Sequence, residues 1–193
     1  DDWVRDLKNK LPNTSVSYIK VAEKNISEIE NTHKRIKKGL KLIKTNDKAQ
    51  KAFQLANEAM SLQQKIPTIK REIIEVGQRK SDLVFDSEIP VNDTKPKWRA
   101  FQIAFILLNI DSIINDDSEE REIVDLLWFP TGGGKTEAYL GLLAFTIFYR
   151  RLVSPEDNGT VSLMRYTYRL LTAQQFERSA RLICSMEFIR NKK

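Results

Sequence analysis

Leu126 to Phe145 reads LLWFPTGGGKTEAYLGLLAF, and the order of residue types in it governs how the rest of the chain is read. Two apolar runs flank three consecutive glycines, a lysine and a threonine. A polyphosphate is held by backbone N–H groups at a helix N-terminus, where the helix dipole adds attraction. The backbone must wrap closely around the phosphates, so side chains are excluded at the tightest points. Gly132, Gly133 and Gly134 meet that need, with Pro130 and Thr131 leading into the cradle. Lys135 is suited to place its ammonium between β- and γ-phosphates, and Thr136 to offer its hydroxyl to Mg²⁺.

The flanks supply the context such a loop requires. Ile123 to Phe129 is β-rich and nearly continuous in apolar character, as expected of a buried parallel strand. From Lys135 the chain reads as a helix ending in basic residues. A polar loop, SPEDNGT, leads to a second expected strand, VSLMRY, and then to a helix over TAQQFERSARLICSMEFIR. Phe176, Ala180, Ile183 and Phe188 are expected on its inner face. Strand–helix–strand–helix predicts an α/β fold with a parallel sheet. Two strands make only an incomplete sheet.

The N-terminal half reads differently. Ile19, Ala22, Ile26, Ile29, Ile36, Leu40 and Ile43 recur at three- and four-residue intervals, a heptad seam in which His33 is the polar exception. Lys34, Arg35, Lys37, Lys38, Lys41 and Lys44 lie between the seam residues; they form either a solvated face or a basic stripe near nucleic acid. Asn46 or Asp47 is placed to cap a second helix with Ala49, Phe53, Ala56 and Met60 on one face. Matching seams and a short turn predict a helical hairpin. IKREIIEVGQ reads as a third helical segment. The prolines and turn formers of DSEIPVNDTKPKW put a domain boundary near residue 95, separating a helical region, 1–95, from 96–193.

Composition narrows the function classes. The 193 residues carry 32 Lys and Arg against 26 Asp and Glu, a net charge of +6, compatible with a polyanionic partner. No apolar run approaches the roughly 18 residues of a membrane span. One cysteine, Cys184, excludes an internal disulfide and fits a reducing cytoplasm; its setting predicts a buried small hydrophobe. One Cys and one His leave no Cys/His metal site. The chain opens without Met and reads as a piece of a longer protein.

The usual phosphate loop, G-x-x-x-x-G-K-[ST], has a glycine where this chain has Phe129. PTGGGKT instead resembles motif I of superfamily-two helicases and translocases. WRAFQ, Trp98 to Gln102, resembles the segment that places a glutamine on the adenine edge in that superfamily, with Gln102 as the matching residue. RYTYRLLTAQQ, Arg165 to Gln175, resembles the segment that touches the nucleic-acid backbone; Thr167, Arg169, Thr172 and Gln174 are the candidate contacts. The spacing there is one residue longer than usual. Together with AFQLANEAMSLQ, Ala52 to Gln63, these strings are similar to the large helicase-like proteins of bacterial phage-defence islands, the DrmA-type component of DISARM. The similarity covers about residues 50–65 and 97–190; residues 1–48 resemble nothing we recognise.

The resemblance implies an ATP- and Mg²⁺-dependent motor on nucleic acid, DNA first, with a RecA-like lobe beginning near residue 96. A defence complex would supply a protein partner. No Asp-Glu-x-His/Asp string ends a strand after the loop, and DDSEE precedes it in a polar segment. The chain is therefore expected to bind nucleotide without hydrolysing it alone. Two other classes fit the residues by themselves: a phosphate-loop NTPase of another kind, such as a remodelling ATPase, and a non-catalytic helical interaction module.

Overall fold

The computed structural model describes residues 2–65, 96–130, 132–166 and 169–192, with side chains in the last segment from residue 173 onward. The third helical segment and the boundary near residue 95 fall outside the described residues. Every regular element among the described residues is a helix. Helix α1 (Asp2–Lys10) is followed by a 3-10 turn, Leu11–Asn13, and by the long α2 (Ile19–Thr45). Then come α3 (Asp47–Lys65), α4 (Ala100–Leu108), α5 (Ile110–Ile114), a 3-10 turn at Glu119–Glu122, α6 (Lys135–Val153) and α7 (Arg169–Lys192).

The expected parallel sheet is absent from the described residues. A strand exists only through hydrogen bonds to a neighbouring strand, and residues 123–129 and 161–166 carry no such ladder. Three of the apolar residues in 123–129 face outward rather than into a core: Val124 is 94%, Leu126 83% and Trp128 86% exposed. Helix α6, which would have covered a sheet, buries Ala138, Leu140, Gly141, Ala144, Phe145 and Tyr149 against other helices instead. Its most extensive neighbour is α3, which also packs on α7 and α2. A continuous apolar run does not reveal what it will pack against, so this difference could not be read from pattern alone.

One hydrophobic core draws on both halves of the chain. It joins Ile43 of α2 and Ala49, Ala52, Leu55, Ala56, Ala59 and Met60 of α3 to Ile106, Ile110, Leu140, Phe145 and, on α7, Leu182, Met186 and Ile189. Each fully buried large side chain contributes about 1.5–3 kcal/mol relative to exposure. Asn46 is the joint between α2 and α3. Its N–H still donates to Leu42 O at 2.9 Å, and its side-chain oxygen caps α3 by accepting from Ala49 N at 3.0 Å.

Two faces differ from their expected assignment. On α2 the seam passes through Gly39, which is buried, while Leu40 is exposed. A Cβ on Gly39 would stand 1.9 Å from the carbonyl oxygen of Leu107, so the glycine lets α2 cross α4 at close range. On α7 the buried positions are Leu182, Ser185, Met186 and Ile189. Phe176, Ile183 and Phe188 lie on the opposite, exposed side, and Cys184 is exposed with them rather than buried.

Candidate functional site

The glycine loop sits where α6 begins. Gly132 (φ +78°) and Gly134 (φ +89°) occupy the left-handed region, which glycine enters without a Cβ penalty. Gly134 is the N-cap of α6, and no side chain caps the first turn of that helix. The main-chain bond from Gly133 N to Pro130 O, 3.1 Å, tightens the turn. A Cβ on Gly132 would meet nothing within 4 Å, so the loop is open on that side. Lys135 is the first helical residue and folds back over its own loop. Its ammonium donates to Phe129 O at 2.5 Å and to Pro130 O at 3.2 Å. Thr136 follows it, half-buried. Thr131 lies outside the described residues.

Phe129, the departure from the usual motif, has a clear place. Its ring stacks on Phe101 with centroids 4.0 Å apart and planes at 17°. It also covers Gly133, where a Cβ would fall 2.4 Å from the Phe129 ring. An aromatic lid over a glycine thus occupies the position of the missing glycine.

Gln102 is 4% exposed, on the first turn of α4. Its amide oxygen accepts from Arg99 N at 2.8 Å, and its Nε2 donates to Gly134 O at 2.8 Å. Arg99 Nη1 donates to Gly133 O at 3.0 Å. Two residues of the WRAFQ string therefore hold the C-terminal half of the loop by its carbonyls. Trp98 of the same string donates its indole N–H to Asn57 Oδ1 on α3 at 2.6 Å, and a Cβ on Gly141 would lie 2.5 Å from its ring. Three strings far apart in sequence (52–63, 98–102 and 129–141) converge on the start of α6.

Of the nucleic-acid candidates, Thr167 lies outside the described residues. Arg169 and Thr172 belong to the first turn of α7, with side chains that are not described, and Gln174 is exposed on the same helix. Among the described residues no group of three or more His, Cys, Asp or Glu is arranged to hold a metal ion. No helix there is long and apolar enough to cross a membrane.

A charged network behind the loop was not foreseen. Arg35 of α2 makes a two-pronged bond to Asp125, Nη1 and Nη2 each 2.7 Å from a carboxylate oxygen, and its Nε donates to Glu120 at 3.1 Å. Lys38 Nζ lies 2.6 Å from the buried Asp111, which also accepts from Ser118 Oγ. The partner carboxylates push Arg35 and Lys38 above their ordinary pKa ranges, through the Asp125 and Asp111 bonds first, against an opposing effect of burial. Part of the basic stripe is thus neither a solvated face nor a nucleic-acid surface: it clasps the acidic segment that leads into the loop. Within 123–129, Asp125 points inward to Arg35 while Val124, Leu126 and Trp128 point out. The opposite charges of residues 34–44 and 116–122 were a visible signal, but separations of 73 to 90 residues gave no pairing.

No family model matches the chain. It is 40% identical over 204 aligned residues to the DISARM protein DrmA of Bacillus paralicheniformis, an alignment that spans 100% of this chain and 17% of that protein. The chain is thus a DrmA-like relative and spans about one sixth of the length of the protein it matches.

Proposed function

We propose that this DrmA-like chain binds ATP with Mg²⁺ through residues 130–136 and serves an ATP-driven helicase or translocase acting on DNA in bacterial phage defence. The observation that carries the reading is the loop itself: two left-handed glycines and an ammonium folded over carbonyls at the uncapped start of a 19-residue helix. Such a turn aims backbone N–H groups at one point, and the dipole of α6 favours negative charge there. The residues fit the ligand. Gly132 leaves the cradle open, Lys135 stands at the loop where a phosphate would enter, and Thr136 would offer its hydroxyl to Mg²⁺. Mg²⁺ would offset charge on the β- and γ-phosphate oxygens.

Gln102 sets the height of the loop through Gly134 O, and its amide edge serves adenine on release of that bond or of Arg99 N. The first turns of α7, with Thr167, Arg169, Thr172 and Gln174, supply the DNA contact in this reading. The similarity to DrmA supports the defence context and a partner within a defence complex.

Titration with a fluorescent ATP analogue tests the site. Lys135→Ala is expected to weaken binding at least tenfold, a loss of about 1.4 kcal/mol. Unchanged affinity would remove the loop from the reading. The 193-residue chain alone is expected to bind without turnover. In the full-length protein, ATPase activity should rise with single- or double-stranded DNA, and DNA affinity should fall steeply with salt. A DNA-independent rate would defeat the motor assignment.

A further inference from the structure

We propose that the ion pair between Glu137 and Arg178 is the positioning link that carries the state of the phosphate loop to α7. The inference rests on the nucleotide and DNA reading above and adds the device that connects the two sites. Glu137 stands in the first turn of α6, two residues after Lys135. One of its carboxylate oxygens accepts from Arg178 Nη2 on α7. The other lies 3.3 Å from where a Cβ on Gly134 would stand, a point also 2.8 Å from Gln102 Nε2. A single carboxylate therefore borders the N-cap glycine of the loop on one side and grips α7 on the other.

Three observations give this contact leverage. Helices α6 and α7 touch only lightly, each leaning mainly on α3, so a charged bridge matters more there than in a thick apolar interface. The pair is three-quarters shielded, with Glu137 25% and Arg178 29% exposed, and solvent screens it only in part. On α7, near the expected DNA contacts, the side-chain oxygen of Gln175 is buried without a hydrogen-bond donor. A buried orphan acceptor costs free energy, a cost that a shift of α7 could relieve.

The electrostatics give the direction. A polyphosphate at the start of α6 brings several negative charges beside the Glu137 carboxylate. It repels that carboxylate and competes for the Arg178 guanidinium, so the bridge weakens as the loop fills. α7 is then released to reposition, and the free energy that links nucleotide to α7 links a ligand of α7 to nucleotide by the same factor.

The test uses the full-length protein with Glu137→Gln, Arg178→Gln and the reversed pair Glu137→Arg with Arg178→Glu. Dissociation constants for a fluorescent ATP analogue are measured with and without single-stranded DNA, and for DNA with and without nucleotide. The wild type should show at least a fivefold mutual shift. Each single variant should reduce the shift below twofold while its affinity for nucleotide alone stays within about threefold, and the reversed pair should regain part of the shift. Full coupling in folded single variants overturns the link and leaves the nucleotide reading standing. Absence of nucleotide binding by the wild type overturns both. Single variants that lose their thermal transition, with stability restored by the reversed pair, would make the bridge a matter of folding alone and also overturn the proposal.

Discussion

Replacing Arg35 by methionine isolates the clasp that holds the approach to the loop. Its guanidinium makes three charged hydrogen bonds, two to Asp125 at 2.7 Å and one to Glu120 at 3.1 Å. The three side chains are only 13% to 15% exposed. Methionine keeps most of the stem and removes all three donors. Two largely shielded carboxylates then face each other, with Lys38 Nζ 3.9 Å from Glu120 as the remaining compensation. Breaking a buried pair by deleting one member costs about 3–5 kcal/mol. Residual exposure and Lys38 place the expected loss near the lower end, at about 3 kcal/mol. For a chain of this size that is a fall of roughly 6–12 °C in Tm. Urea denaturation followed by circular dichroism measures it. The companion Arg35→Met with Asp125→Leu removes both charges and should recover more than half of the loss, because an unpaired buried charge costs more than an absent pair. A single-variant loss below about 1 kcal/mol, or a double variant no more stable than additivity allows, would refute the reasoning.

Gly39→Ala gains about 1 kcal/mol of helix propensity, yet its methyl would meet the Leu107 carbonyl, a backbone atom that cannot swing aside. The net expectation is a loss of about 2 kcal/mol in the same assay, within the usual range for overpacking; a stabilised variant would place the α2–α4 crossing elsewhere. Gly133→Ala drives a Cβ into the Phe129 ring and to 2.9 Å from Pro130 O and should weaken nucleotide binding, while Phe129→Ala in the same chain removes the ring clash and should restore part of it. Failure of that rescue would separate the aromatic lid from the loop. His33, the sole histidine, is held below the ordinary value of 6.5 by burial and then by Lys37. Its folded pKa is depressed, so its contribution to stability is present above about pH 6.5 and fades as pH falls through the folded value. Proton NMR of its ring gives the midpoint, and a value above 6.5 would contradict this placement.

Local structure was legible wherever short-range spacing determines it. The α2 and α6 helices, the Asn46 cap and the glycine turn all follow from residues within a few positions of one another. That no sheet forms among the described residues was not legible, because Ile123–Phe129 reads the same whether another strand or solvent lies beside it. The inner face of α7 was misassigned because Phe176, Ala180, Ile183 and Phe188 and the set Leu182, Met186 and Ile189 are both apolar stripes at helical spacing. The packing of α3 on α7 buries the second set. At the candidate site the loop residues were visible, and the supports of Arg99, Glu137, Arg178 and Asp125 were not. Each of those acts through a partner at least 34 residues away.

The resting loop is held unequally. Its second half hangs from Arg99 and Gln102, while in its first half the Lys135 ammonium holds Phe129 O and shares Pro130 O with the Gly133 N–H. On the proposed reading, the lysine that greets a phosphate is the same one that latches the turn. An arriving ligand must first unbolt what it needs to bind, so the loop carries its own inhibitor. Its affinity for nucleotide is then set by a contest between two carbonyls and a phosphate for one ammonium.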